Sequence, residues 1–494
     1  MKNIILTGAS AIALAIGGTA AAQDSAARLQ PGVAACVGNA GANCSDVSQT
    51  GNRGTVEVTQ NGTGGSKSEI DQAGADNTAI VNQTNNGGAA NESEITQTAD
   101  ASDATADVEQ IGEGNLSSVT QRGDDILTDV EQNGERNSSN VLQSATADFA
   151  TTTVEQDGAA NVSGVTQTGN FAGVSVVQTN NEGVVGNNSL VSQTGDTAFV
   201  FVTQDGEQNL SDVGQTADAA LVTVDQTGTN NSSLVDQAGT GVIVDVDQTG
   251  NRNVSQVNQL AGGALARVEQ EGDRNNALIV ERAELSRSTI TQTNGNDNTA
   301  QIGQADAQGL FLGFIPFDLT ERDEASITQK DGDSNRASIV QRGINQSASI
   351  EQIGSGNTSG VAGSTTNIGV VQLGDGQFAQ VKQEGNDNTS NVLQGAGDNL
   401  FFVTGASSVD NRALVMQGGD NGTSLIEQAG DTNEARLVQL DGSSFNASTI
   451  IQDGIRNTAD VAQGGTGNQS TINQTGTGNV ALVGQNAPLP NGAF

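Results

Sequence analysis

A short phrase, Gln-x-Gly-x-x-Asn followed six residues after the Asn by another Gln, recurs along most of this chain and limits what it can fold into. It stands at Gln72-Gly74-Asn77-Gln83, Gln110-Gly112-Asn115-Gln121, Gln132-Gly134-Asn137-Gln143, Gln204-Gly206-Asn209-Gln215, Gln226-Gly228-Asn231-Gln237, Gln248-Gly250-Asn253-Gln259 and Gln474-Gly476-Asn479-Gln485. From Gln204 to Gln270 a Gln falls every eleven residues. A fixed internal period is the mark of a stacked repeat architecture, in which each unit buries its apolar face only against its neighbours.

Within a repeat the period is two. In Ala104-x-Ala106-x-Val108-x-Gln110 and Asn115-x-Ser117-x-Val119-x-Gln121 one face carries Ala, Val, Ser, Asn and Gln, while Thr, Asp, Glu and Leu lie between. This alternation is that of a strand. Gly112 and Gly114 fall between the halves, where the chain must reverse and a positive φ is needed. The expected unit is strand, turn, strand, turn, about 22 residues per coil. From Thr50 to Gln485 the chain would hold roughly twenty coils, stacked at about 4.8 Å into an all-β, two-sheet, cross-β-like solenoid on the order of 100 Å long.

An inward amide is costly unless paired, but a column of identical amides pairs each donor with the acceptor of the next coil. Gln72, Asn77, Gln83, Gln110, Asn115, Gln121, Gln132, Asn137, Gln143, Gln204, Asn209, Gln215, Gln226, Asn231, Gln237, Gln248, Asn253, Gln259, Gln474, Asn479 and Gln485 are therefore expected to form structural amide ladders. Such ladders fix register, because a slip of one residue would turn charged side chains inward.

Composition agrees with a thin core. The chain has 64 Gly, 12 Phe and no Trp, Tyr or His in 494 residues, so small side chains must fill the interior. An apolar fraction of 34% with a net charge of −38 would ordinarily signal disorder, and the periodicity argues against it. The four prolines, Pro31, Pro316, Pro488 and Pro490, all lie outside the repeats, as continuous strand pairing requires.

The N-terminus reads as a signal peptide, residues 1–22: Lys2, an apolar run from Ile4 to Ile16, and a small-residue cleavage site at Ala20-Ala21-Ala22. Residues 23–48 form a leader holding Cys36 and Cys44, candidates for a disulfide in an oxidising compartment, the alternative being two free thiols. The solenoid is expected over 49–485, with an insertion near 305–325 and a tail at 486–494. No stretch reaches the ~20 apolar residues of a transmembrane helix. The apolar insertion Gly309–Phe317 reads as a loop packed on the solenoid side or, alternatively, as an exposed contact patch.

The pattern Ser-x5-Gln-x-Gly-x-x-Asn-x-Ala-x3-Gln resembles the curlin repeat of bacterial curli amyloid subunits. Ser66, Gln72, Gly74, Asn77, Ala79 and Gln83 fit every position, and the Gln-x-Gly-x-x-Asn core occurs fourteen times. The resemblance implies a subunit of a Gram-negative bacterium that leaves through a dedicated outer-membrane pore. It further implies assembly with itself, and with a nucleator, into extracellular amyloid fibres for biofilm matrix and adhesion. This chain is longer than the usual curlin subunit, and its leading Ser is often missing.

Asp225, Asp247 and Glu269 are spaced by 22 and each precedes a ladder Gln, so they are expected as an outward carboxylate column, a weak cation-binding candidate. Two unit charges near 5 Å apart repel by roughly 0.8 kcal/mol even in water, so salt, divalent cations or acid should favour assembly. No lone carboxylate group in an aromatic cleft marks a glycosidase, no His serves as a general base, and no cofactor motif is present. The charge has the wrong sign for nucleic acid. The alternative to a fibre subunit is a monomeric β-solenoid adhesin or ligand- or ice-binding protein.

Overall fold

The structure, a computed structural model, describes residues 42–181, 185–305, 322–360, 369–395 and 409–487. The signal peptide, Cys36, the Gly309–Phe317 insertion and all four prolines lie outside the described residues. Among the described residues there is no helix; strands wind into a β-solenoid of about 17 turns at roughly 23 residues per turn. Several turns carry more than the 22 residues of the basic period: successive ladder partners lie 37 apart from Gln292 to Gln329 and 34 apart from Gln383 to Gln417.

Contacts divide the chain into two units. In the first, within Ala21–Asn253, alternate strands belong to two parallel sheets. One holds Ser66–Gln72, Asn91–Gln97, Leu116–Gln121 and Ser138–Gln143; the other holds Thr78–Asn85, Thr105–Glu113, Leu127–Glu135 and Thr151–Ala159. Pairing keeps like on like: Val108 lies against Val130 and Gln110 against Gln132. The first strand, Cys44–Gln49, begins inside the segment expected as a leader and pairs with Lys67–Gln72.

The core is one side chain deep. Ala106, Val108 and Gln110 from one sheet and Ser117, Val119 and Gln121 from the other are buried, whereas the intervening residues face outward. Facing rows of Val and Ile bury the apolar surface that drives folding.

In the second unit, within Val254–Phe494, the same pattern survives the insertions. Thr299–Ala305 pairs in register with Arg336–Arg342, on either side of residues 306–321. Where the repeat is lost after Gly360, two short strands, Thr358–Ser359 and Val370–Asp375, share the place of one beside Arg336–Ile344. One irregularity is internal: beyond Gln417 and Gln439 the register shifts, and Gly419 pairs with Ser443.

The glycine of the repeated phrase is required twice over. At Gly134 φ is 113°, a region that L side chains rarely adopt, and a Cβ there would fall 2.0 Å from the carbonyl oxygen of Gly158 in the next coil. At Gly241, φ is 68° and the space is open. Gly134→Ala is therefore expected to lower folded stability by at least about 2 kcal/mol, and Gly241→Ala by only about 1 kcal/mol. Denaturant midpoints of the two variants would check the difference.

Candidate functional site

The repeated side chains meet along the stack, where an assembling protein would make its contacts. In one sheet Gln60, Gln83, Gln110, Gln132, Gln156, Gln178, Gln204, Gln226 and Gln248 form an unbroken series, each Nε2 donating to the Oε1 of the next at 2.7–2.8 Å. In the facing sheet Gln49, Gln72, Gln97, Gln121, Gln143, Gln167, Gln193, Gln215 and Gln237 form a like series at 2.7–3.2 Å. The second amide proton is used across the core: Gln110 Nε2 donates to the Glu92 carbonyl at 3.1 Å and Gln132 Nε2 to that of Leu116 at 3.0 Å. Gln110 and Gln132 thus each tie their coil both to the next coil and to the opposite sheet. In the second unit bonds of the same kind run as far as Gln452 to Gln474 in one sheet and Gln463 to Gln485 in the other, with an interruption at Glu281.

The Asn residues behave differently from the expectation. They stack, but few Asn amides meet another, as from Asn479 to Asn457 at 3.0 Å and from Asn161 to Asn180 at 3.0 Å. Elsewhere the Asn side chain serves the backbone. Asn115 Oδ1 accepts from the Asn137 N–H at 3.0 Å, while Asn115 Nδ2 donates to the carbonyls of Ile111 and Gly134. Asn137, Asn209 and Asn231 repeat this clasp, Asn253 Nδ2 donates to the Thr249 carbonyl, and Asn77 offers its Oδ1 to the Ala104 N–H. The physical reason is reach: the shorter side chain sits at the corner, where the glycine turn exposes main-chain groups that must be satisfied.

The opposite corner holds a second series that sequence reasoning missed. Asp124 Oδ1 accepts from the Ser102 N–H, Asp148 from Asp124, Asn170 from Asp148, Asp196 from Asn170 and Asp218 from Asp196, at 2.7–3.1 Å. The signal was an Asp or Asn at intervals of 22 to 26 residues between ladder glutamines.

The outward acids lie in register, Asp225 against Asp247 and Glu109 against Glu131 against Glu155. Glu269 lies in the second unit, 3.8 Å from Arg267. Among the described residues no three His, Cys, Asp or Glu side chains gather as a metal-holding group. Cys44 is disulfide-bonded, and Cys36 lies outside the described residues.

Stacking like charges at partly buried sites raises several carboxyls. Burial and then Glu94 push Glu69 up; burial and then Asp129 act on Asp107, burial and then Glu155 on Glu131, and burial and then Asp236 on Asp212. Asp297, held down by its hydrogen bonds from Arg274, is an exception. Lys67 faces Glu92 in the next coil at 2.6 Å, a local relief of the same repulsion.

Three segments of the chain, 217–250, 264–305 and 332–362, match the Curlin associated repeat. The chain carries that repeat there, with Gln226, Asn231, Gln237, Gln270 and Gln292 among the matched positions. No curated protein matches the chain.

Gln132→Leu would leave the along-stack proton of Gln110 and the Oε1 of Gln156 unpaired, and each unsatisfied buried group costs about 1–3 kcal/mol. Ser139, buried with an Oγ that has no partner, should by contrast tolerate Ala with no loss. Chemical denaturation of Gln132→Leu beside Ser139→Ala tests both statements.

A carboxyl raised in the folded state binds its proton more tightly there than in the unfolded chain, so its contribution is present at low pH and lost as pH rises through the folded value. For Glu69, Asp107, Glu131 and Asp212 the expected result is a higher denaturation midpoint near pH 5 than near pH 8. A midpoint that rises with pH would contradict it.

Proposed function

We propose that this curlin-repeat solenoid is a secreted structural subunit that polymerises end to end into extracellular amyloid-type fibres. The direction of the Gln ladders carries the reading. Each Gln-to-Gln ladder bond runs from an Nε2 in one coil to an Oε1 in the following coil, so Gln49 and Gln60 present acceptors in the first described coil. In the last described coil Gln474 and Gln485 present donors: their Nε2 groups bond only to the carbonyls of Thr458 and Gln469 among the described residues. A second copy added head to tail continues both ladders and both parallel sheets without a new kind of contact, and an open sheet edge is a template for such addition.

The role is mechanical rather than catalytic, serving biofilm matrix and surface adhesion. The repeat family supports export through a curli-type pore and growth from a nucleator, and the acidic columns support restraint of assembly until charge is screened. A second reading, a monomeric adhesive solenoid, draws on an outward apolar row in which Phe199, Leu221 and Ile243 lie in register.

The mature chain, unfolded in denaturant and diluted into buffer, is expected to form dye-binding fibres with diffraction spacings near 4.8 and 10 Å. Fibres should grow faster in near-molar than in millimolar salt. Equal rates at both salt concentrations would remove the charge argument, and a soluble, dye-negative monomer would select the second reading.

A further inference from the structure

One ladder position is not an amide. Eleven residues beyond Gln270, where the period calls for Gln, stands Glu281, fully buried at 0% exposure. It pairs in register with Gln259 on one side and Gln304 on the other. Gln259 Nε2 donates to Glu281 Oε2 at 2.7 Å, as it would to an amide oxygen. The onward bond is missing: Glu281 Oε1 has no hydrogen-bond partner. Ser288, pointing into the core from the facing sheet, interacts with the Glu281 carboxyl, but its hydroxyl proton goes to Gln304 Oε1 at 2.9 Å.

A carboxylate only accepts hydrogen bonds, so it can end a ladder of this polarity but cannot continue it. A carboxylic acid has one proton to give. With that proton the series closes: Gln259 Nε2–H to Glu281 Oε2, Glu281 Oε1–H to the Ser288 oxygen, Ser288 O–H to Gln304 Oε1, and Gln304 Nε2–H to Gln341 Oε1, the last bond standing at 2.7 Å.

Among the described residues nothing charged within the core offsets the carboxylate. The inward neighbours on the adjoining strands are Ser255, Val257, Ala300, Ile302, Val268 and Ile290. Arg267, Glu269, Glu271, Asp273 and Arg287 on these strands face outward, as do Arg282 and Glu284 at the corner. Asp323, buried one coil on, accepts from the Gln346 N–H at 2.9 Å. Burial accordingly pushes the Glu281 carboxyl up to about 7, against smaller opposing effects of Ser288 and Gln259.

We infer that Glu281 is a proton-controlled joint in the stack, closed when the carboxyl carries a proton that bridges through Ser288 to Gln304, and loosened when it does not. Above neutrality the coils around it open more readily, and acidification locks them. The joint works within a single chain, so it stands whether or not the chain forms fibres.

Glu281→Gln supplies the missing amide and provides the test. Hydrogen–deuterium exchange is read on peptides spanning Asn276–Glu281 and Thr299–Ala305, with wild type and E281Q compared at equal pH. Near pH 5 the two should agree within about twofold, and near pH 8 wild type should exchange about tenfold to a hundredfold faster. Equal protection at both pH values, or a better protected wild type at pH 8, overturns the inference. Infrared difference spectra give a second readout: a protonated-carboxyl C=O band near pH 6 in wild type and missing from E281Q is expected, and its absence from wild type also overturns it.

Discussion

A hydrogen bond from one glutamine side chain to the next holds this architecture to a single arrangement. Hydrophobic burial alone would not, because rows of Val and Ala slide past one another with little change in contact. The amide does not slide. Gln110 must find Gln132 along the stack and the Glu92 carbonyl across the core, and only one register offers both. Misregistered pairing would strand buried amides, each at a penalty comparable to a lost core contact. A polar residue in the interior thus acts as the register mark, while apolar neighbours supply the driving force.

The corners follow from that choice. Coils held at the spacing of a β-ladder bring main chains close at each reversal, and the phrase Gln-x-Gly-x-x-Asn answers the crowding with two devices. The glycine removes a Cβ that would collide with the next coil's carbonyl, and the asparagine gathers the carbonyls and N–H groups that the turn leaves over. Both are local solutions to stacking, which is why they recur with the repeat and are replaced where the corner differs. At the opposite reversal Asp124, Asp148 and Asp196 cap backbone N–H groups instead.

Much of this was legible in the sequence because period is a strong signal. Alternation at two residues predicted the strands, the eleven-residue spacing predicted which glutamines meet, and prolines outside the repeats agreed with unbroken pairing. The role of Asn was misjudged because residue type alone does not tell whether an amide reaches its counterpart or the nearer backbone. A uniform period does not reveal extra residues, such as the 37 that separate Gln292 from Gln329. Glu281 was visible as a break in the count of eleven, but its importance depended on burial, which the sequence does not state.

The unbroken ladder across that 37-residue step has a wider meaning. A solenoid whose register is carried by inward side chains treats its corners as exits, where added sequence leaves and returns without disturbing the next coil. The main penalty is loop-closure entropy, which grows only by about 0.6 kcal/mol for each doubling of loop length. Such a chain can gain new surface segments by insertion at its reversals while its core stays as it was, much as a rack accepts different fittings on identical shelves.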